Sequence, residues 1–361
     1  MTRPATEAVH PYPLLFQPLL LEKVWGGDRL ARFGKPVAPG DRIGESWELA
    51  DLASTSASGA GGTAAHSVIR NGPLAGRTIR DAVSAWGHNL LGHAPLASQG
   101  GVGEFPLLVK FLDARENLSV QVHPSPAYAA AHPGAHLKTE CWYILHAEPG
   151  AMIYKGCKPG VTRAQWQQAL ADGVGNRTVD LMAAVPAVVG ECHNLPSGTV
   201  HALGAGVVVA EVQTPSDTTF RVYDWGRTGR QLHVEQALQC IDYAPAPAAS
   251  PAATSSSHAA TAHAHRRLVT TAYFTLDESR PAAGQRTTVL PDHASTPSTP
   301  TAAVLMVVGG AGRLVSTTHA FADLTVTAGD TVLVPAAIAP WAELLADSAI
   351  TALHALLPAG A

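Results

Sequence analysis

Four side chains in one stretch of this sequence could meet on a single divalent metal ion. Gln121 offers an amide oxygen, His123 and His201 offer imidazoles, and Glu140 offers a carboxylate. Gln121 and His123 stand at i and i+2 in an alternating run, Ser119 to His123. Alternate side chains of a strand leave the same face, so both would point one way. Glu140 opens a second strand-like run, Glu140 to Leu145, and Pro196-Ser-Gly-Thr-Val-His201 is a turn that would carry His201 back across the first two. Imidazole, carboxylate and amide oxygen form a set of borderline and hard donors that suits zinc, or else manganese or iron. A lone histidine on a strand is usually structural; the ordered set carries the reading.

These residues need strands to hold them, and the composition favours strands. The 361 residues include 33 Gly and 27 Pro, which predict many turns and short elements. The formal charge of −4 gives no electrostatic case for nucleic acid or an anionic membrane surface. The four cysteines (Cys141, Cys157, Cys192 and Cys240) form no Cys-x-x-Cys pair, which fits free thiols in a reducing compartment. No apolar run is long enough to span a bilayer, and residues 1–16 lack the pattern of a signal peptide. The expectation is a cytoplasmic protein.

Along the chain, strands are expected at Ile43 to Ala50, Pro106 to Leu112, Met152 to Lys155, Gly190 to Leu195, Gly206 to Gln213 and Thr218 to Tyr223. Asp28 should cap a short helix through Phe33. A longer helix is expected from Thr78 to Leu91, and shorter ones at Pro126 to His132, Thr162 to Asp172, Val179 to Ala184 and Val234 to Gln239. Lys110 interrupts an apolar strand: it either snorkels to an edge or points a cation into a polar site. Residues 244–265 are almost all Ala, Pro, Ser, Thr and His and predict a flexible linker. His258, His263 and His265 are read as solvated linker residues. From Leu268 onward short strands recur at sandwich-like spacing without paired metal ligands.

The two halves of the candidate metal site resemble the two halves of a cupin metal motif. Gln121 stands where an ordinary cupin has histidine, which narrows the resemblance. Leu118-Ser-Val-Gln-Val-His-Pro124, Lys138-Thr-Glu-Cys-Trp-Tyr-Ile-Leu145 and Pro196-Ser-Gly-Thr-Val-His-Ala-Leu203 resemble the type I mannose-6-phosphate isomerases, in particular their short bacterial branch. Trp25-Gly26-Gly27, Gly44-Glu-Ser-Trp47, Asn71 to Thr78, Phe105 to Phe111 and Ser216 to Asp224 extend the similarity over about residues 13 to 242. The C-terminal part is similar only in rhythm.

The resemblance implies a mainly β protein. A cupin-type jelly-roll barrel with a few short helices would occupy residues 13–243, with helical insertions. A linker would follow at 244–265, then a smaller cupin-like sandwich without metal ligands at 266–361. It implies a zinc-dependent isomerase, with one Zn2+ per chain held by Gln121, His123, Glu140 and His201. The reaction interconverts mannose 6-phosphate and fructose 6-phosphate through an enediolate. Arg221 falls on the family's catalytic arginine, and Lys110 and Lys138 on pocket lysines. The chemistry also needs a base: Glu211 is the first candidate, then Asp217 or a metal-bound water, and a structural carboxylate is the competing reading of Glu211. Arg227 is read as solvated surface. Trp25 and Glu45 could line the pocket or serve the core, and His136, His146 and His193 are read as structural or exposed. The alternative function is a non-catalytic cupin that senses a sugar phosphate.

Overall fold

The computed structural model describes residues 9–56, 61–92, 105–171, 176–252, 265–291 and 300–358. Most of the expected linker, with His258 and His263, lies outside them. The architecture is mainly β, as expected. It is a stack of four large sheets with short helices on one outer face and beside the central seam.

The first sandwich carries the site. Its six-stranded sheet runs, in spatial order, Cys192–Leu195, Glu140–Ala147, Val207–Gln213, Leu108–Ala114, Ile43–Leu49 and Leu19–Gly27. Its five-stranded partner runs Met182–Pro186, Met152–Cys157, His201–Leu203, Val120–Val122 and Phe220–Tyr223. The two enclose Leu112, Trp142, Ile144, Ile153, Leu203 and Val209. The outer face of the five-stranded sheet places Val120, Val122, Ala202 and Phe220 under helices Arg163–Ala171 and Val234–Cys240. Alternation therefore does two jobs. Val120 and Val122 pack outward, while Gln121 is left facing in.

Two shorter sets of strands make the second sandwich. A six-stranded sheet contains Leu14–Leu15, Thr331–Val334, Ala303–Gly309, Thr351–Leu356, Thr275–Ser279 and His265–Thr270; a four-stranded sheet contains Arg286–Thr288, Ala342–Ala346, Ala311–Ser316 and Leu324–Thr327. The two six-stranded sheets lie back to back. One apolar cluster joins Val109, Phe111, Tyr143, Val208 and Ala210 of the first to Leu276, Val304, Met306, Leu353 and Ala355 of the second.

Local expectations were met unevenly. The helix expected at Thr78 to Leu91 starts as foreseen, with Thr78 and Asp81 forming a reciprocal capping box. It then breaks at Gly87, whose φ of +48° no helix tolerates, into Ile79–Trp86 and His88–Leu91. Asp28 precedes a short 3-10 helix, Arg29–Phe33, but caps nothing with its side chain; the carboxylate accepts from the Gly40 N–H instead. The helix expected at Val179 to Ala184 is displaced to Asn176–Asp180, and Met182–Pro186 is an edge strand.

Residues 244–252 are tied down rather than free. The Pro247 carbonyl accepts from Lys155 Nζ at 2.6 Å, and Ser250 exchanges both backbone hydrogen bonds with Cys192. Backbone groups supply these contacts, so the stretch needs no large apolar side chains to order it. His265, read as linker, opens a strand, and Leu14–Leu15 pairs with Thr331–Val334 of the second sandwich.

Candidate metal centre and active site

Two cross-strand rows face each other inside the first sandwich. In the five-stranded sheet, Gln121 stands directly opposite Arg221 on one side and His201 on the other, and His201 is opposite Lys155. In the six-stranded sheet, Glu211 stands opposite both Trp142 and Lys110, and Lys110 opposite Trp47. Directly opposite residues share a face, so each row points inward as a set.

The metal cluster closes the gap between the rows. His123, Glu140 and His201 are buried and bring their ligand atoms within 4.8 Å of one another. Glu140 Oε2 is 3.4 Å from His123 Nε2, and Oε1 is 3.2 Å from His201 Nε2. The Gln121 amide nitrogen lies 3.4 Å from His201 Nε2, and its oxygen accepts from Ser119 Oγ at 3.2 Å. Each imidazole points Nδ1 at a backbone carbonyl, Thr218 at 3.0 Å for His123 and Thr199 at 2.8 Å for His201. That fixes the tautomer with Nε2 as the lone pair facing the cluster, the usual outer support of a metal-bound histidine. His123 Nε2 and Glu140 Oε1 are buried without a hydrogen-bond partner, and Glu140 Oε2 meets only the Lys138 ammonium at hydrogen-bond distance. Buried polar atoms left unpaired are costly, so a cation at this point fits the donor set. Burial, then the Lys138 ammonium, pushes His123 down to about 3, so the imidazole is a neutral donor at physiological pH. Burial works against ionisation of Glu140, but the Lys138 ammonium at 2.7 Å outweighs it and holds the carboxyl well below its usual range.

Beside the cluster opens a cleft with about 660 Å³ of empty space, counting its mouth. Its wall includes Lys110, Gln121, Lys138, Glu211 and Arg221. The six-stranded sheet contributes an alternating chain of charges. Lys23 lies 3.4 Å from Glu45, Glu45 lies 3.5 Å from Lys110, and Lys110 lies 3.3 Å from Glu211. The indoles of Trp47 and Trp142 donate to Glu45 and Glu211 at 2.7 and 2.8 Å. Burial would raise Glu45, but Lys110 and Lys23 bring it down to about 2. Glu211 goes the other way: burial and then the nearby Glu140 charge raise it, against the pull of Lys110. On the opposite wall, Arg221 donates to the Gln231 carbonyl at 2.9 Å, and its Nε is buried without a partner.

Residues not singled out from the sequence complete the wall: Lys23, Trp47, Ser119 and Arg230. Lys23 was readable as the i−2 neighbour of Trp25 on one strand. Arg230 was not, because it sits in an irregular stretch where only its pairing with Asp224 fixes it. Trp25, Glu45 and Asp217 are pocket-lining. Arg227, expected on the solvated surface, is half-buried and clamps Asp224 at 2.8 Å and the Asn117 carbonyl at 2.6 Å. His193 is buried opposite Trp142, away from the cluster, and burial lowers it to about 4. In the second sandwich His354 spends both nitrogens, on Ser279 and the Val289 carbonyl; no second metal cluster occurs among the described residues.

Comparison with known proteins agrees with this geometry. Residues 15–138 match the family model of the phosphomannose isomerase type I catalytic domain. The chain is 36% identical over 236 residues to mannose-6-phosphate isomerase ManA of Bacillus subtilis, covering 64% of this chain and 68% of that one. It is 36% identical over 246 residues to a mannose-6-phosphate isomerase of Streptococcus mutans, covering 66% and 71%. The chain belongs to the type I mannose-6-phosphate isomerase family. The family fold extends beyond the segment aligned by sequence. The crystal structure of the mannose 6-phosphate isomerase from Bacillus subtilis superposes with a TM-score of 0.70 at 24% identity, over 95% of this chain and 99% of that one. The fold match therefore takes in the second sandwich as well.

Proposed function

We propose that this chain is a metal-dependent aldose–ketose isomerase that interconverts mannose 6-phosphate and fructose 6-phosphate. The observation that carries the reading is the juxtaposition of a buried His123–Glu140–His201 cluster with a raised carboxyl, Glu211, and a guanidinium, Arg221, on facing walls of one cleft. Membership of the isomerase family supports the same activity. The cleft also suits a sugar phosphate electrostatically. Its lining holds Lys23, Lys110, Lys138, Arg221 and Arg230 against Glu45, Asp217 and Glu211, an excess of cations that a phosphate dianion would offset.

Gln121, His123, Glu140 and His201 would hold one zinc ion. Bound there, it supplies a positive charge that stabilises the developing negative charge on the sugar oxygens. The protein's own groups do the rest. Glu211 takes the proton from C2 of the open-chain aldose and returns it to C1. Its raised pKa suits both halves of that transfer. The Trp142 indole and the Lys110 ammonium fix the orientation of its carboxylate. Arg221, charged throughout, lowers the cost of the enediolate-like transition state from the opposite wall. Lys110 and Lys138 contribute to substrate binding.

We further propose a division of labour along the chain. Residues 13–243 form the metal-binding unit, 266–361 form a sandwich without metal ligands, and 244–265 join them. The grouping of strands supports this, with Leu14–Leu15 as an N-terminal strand lent to the second sandwich.

The direct test is conversion of mannose 6-phosphate before and after thorough chelation, followed by zinc reconstitution. Turnover should vanish with the metal and return with zinc. Activity indifferent to complete metal removal would overturn the reading.

A further inference from the structure

The second sandwich reaches the metal site from behind through one buried carboxylate. Glu278 lies in Thr275–Ser279 and is completely buried in the seam between the six-stranded sheets. It accepts a 2.6 Å hydrogen bond from the Tyr143 hydroxyl, one of 2.8 Å from Arg280, and bonds of 3.0 and 2.8 Å from Nε and Nη2 of Arg266. Arg280 also donates to the Tyr143 oxygen at 3.2 Å. Charge-assisted bonds of this kind are about twice as strong as neutral ones. A fully buried carboxylate that receives several of them is a stiff anchor.

Tyr143 belongs to Glu140–Ala147, the strand that carries the cluster carboxylate Glu140 and the Trp142 that orients Glu211. Tyr143 projects from the opposite face, into the seam, with its ring packed in the cluster that contains Leu276 and Leu353. It is three residues, roughly 10 Å, from Glu140 along an extended chain. A shift of this strand along or away from its neighbours would displace Glu140 and Trp142 together. The Tyr143–Glu278 bond resists that shift from the side of the sheet the substrate never reaches. Nothing in the isomerisation itself uses Glu278, and buried ion pairs of this type are often no more stabilising than an apolar replacement.

We infer that Glu278 is a positioning residue of the active site, through which the second sandwich holds Tyr143 and thereby sets the Glu140 carboxylate and the Trp142 indole in register with the facing histidines. The inference rests on the assignment of Glu140 as a metal ligand.

The test compares Tyr143→Phe and Glu278→Gln with Arg70→Ala. The last removes an exposed ion pair with Asp330 that also bridges the two halves but touches no strand of the site. Zinc affinity by chelator competition and steady-state kcat and KM are read well below each variant's Tm. The phenylalanine variant keeps the ring and its packing, so it should fold. We expect zinc affinity and kcat to fall about fivefold in Tyr143→Phe and Glu278→Gln, with KM little changed, and Arg70→Ala to match the wild type in all three. Wild-type zinc affinity and kcat in both seam variants, with only Tm lowered, would overturn the inference. The failures are separable: absence of metal-dependent turnover in the wild type would defeat the isomerase reading, and the zinc-affinity arm would still decide the positioning role.

Discussion

Each cluster imidazole spends one nitrogen on a backbone carbonyl and turns the other toward the cluster. Removing either should therefore cost metal as well as chemistry. His201→Ala should lose both bound zinc, read by elemental analysis, and turnover. Arg221→Ala should separate the two, with near-normal zinc and kcat down by about 10²–10³, the usual cost of one charge-stabilising donor. Glu211→Gln is expected to retain zinc and substrate binding while kcat falls by about 10²–10⁴, the range for a general base. If Arg221→Ala keeps full activity, its electrostatic role is wrong. The convergence of these side chains was legible because strand periodicity places Gln121 and His123 on one side, and a Pro-x-Gly turn announces His201. Lys110 had two readings in the sequence. It lines the cleft because its directly opposite partners are Glu211 and Trp47, a fact of register that one strand alone cannot reveal.

At the scale of elements, the end of the His201–Leu203 strand is tightly constrained. Gly204 follows it and donates to the Met152 carbonyl; a Cβ there would sit 2.1 Å from that oxygen. Gly204→Ala should destabilise the protein by roughly 1–3 kcal/mol, read by denaturant unfolding. Most strands of the first sandwich could be read from apolar runs. Met182–Pro186 could not, because Met-Ala-Ala-Val-Pro has one β-branched residue, Val185, and no aromatic to mark a strand. It survives at the edge of its sheet, where a terminal proline costs no ladder bond. The break at Gly87 was written in the sequence but outvoted by an apolar helical period that continued to Leu90.

The whole molecule is held by the seam between the two six-stranded sheets, an apolar layer drawn from both halves of the chain. Composition gave no hint of it, since each half reads as a self-sufficient sandwich. A chain ended after residue 252 would expose Val109, Phe111, Val208 and Ala210, and we expect it to aggregate rather than yield a smaller enzyme; solubility and circular dichroism would check this. The second sandwich also contributes a pH dependence. Burial, then the neighbouring His265, holds His354 well below its ordinary value near 6.5. The folded state keeps it neutral while the unfolded chain takes up a proton below that value. Its contribution is thus complete above about pH 6.5 and is lost as pH falls, by at most about 1.4 kcal/mol per pH unit. Urea unfolding of wild type and His354→Gln between pH 7 and 5 should show a flatter profile for the variant. The sensor reading of the sequence finds no support among the relatives, which are named as isomerases.

The order of the four sheets has a practical corollary. Arg286–Thr288 is an edge strand of the outermost sheet, and two further sheets intervene before the cleft. With sheets about 10 Å apart, that places it about 25 Å from the chemistry. A fusion partner, dye or solid support attached there would leave the pocket mouth unobstructed, which makes this edge the natural handle for an immobilised catalyst.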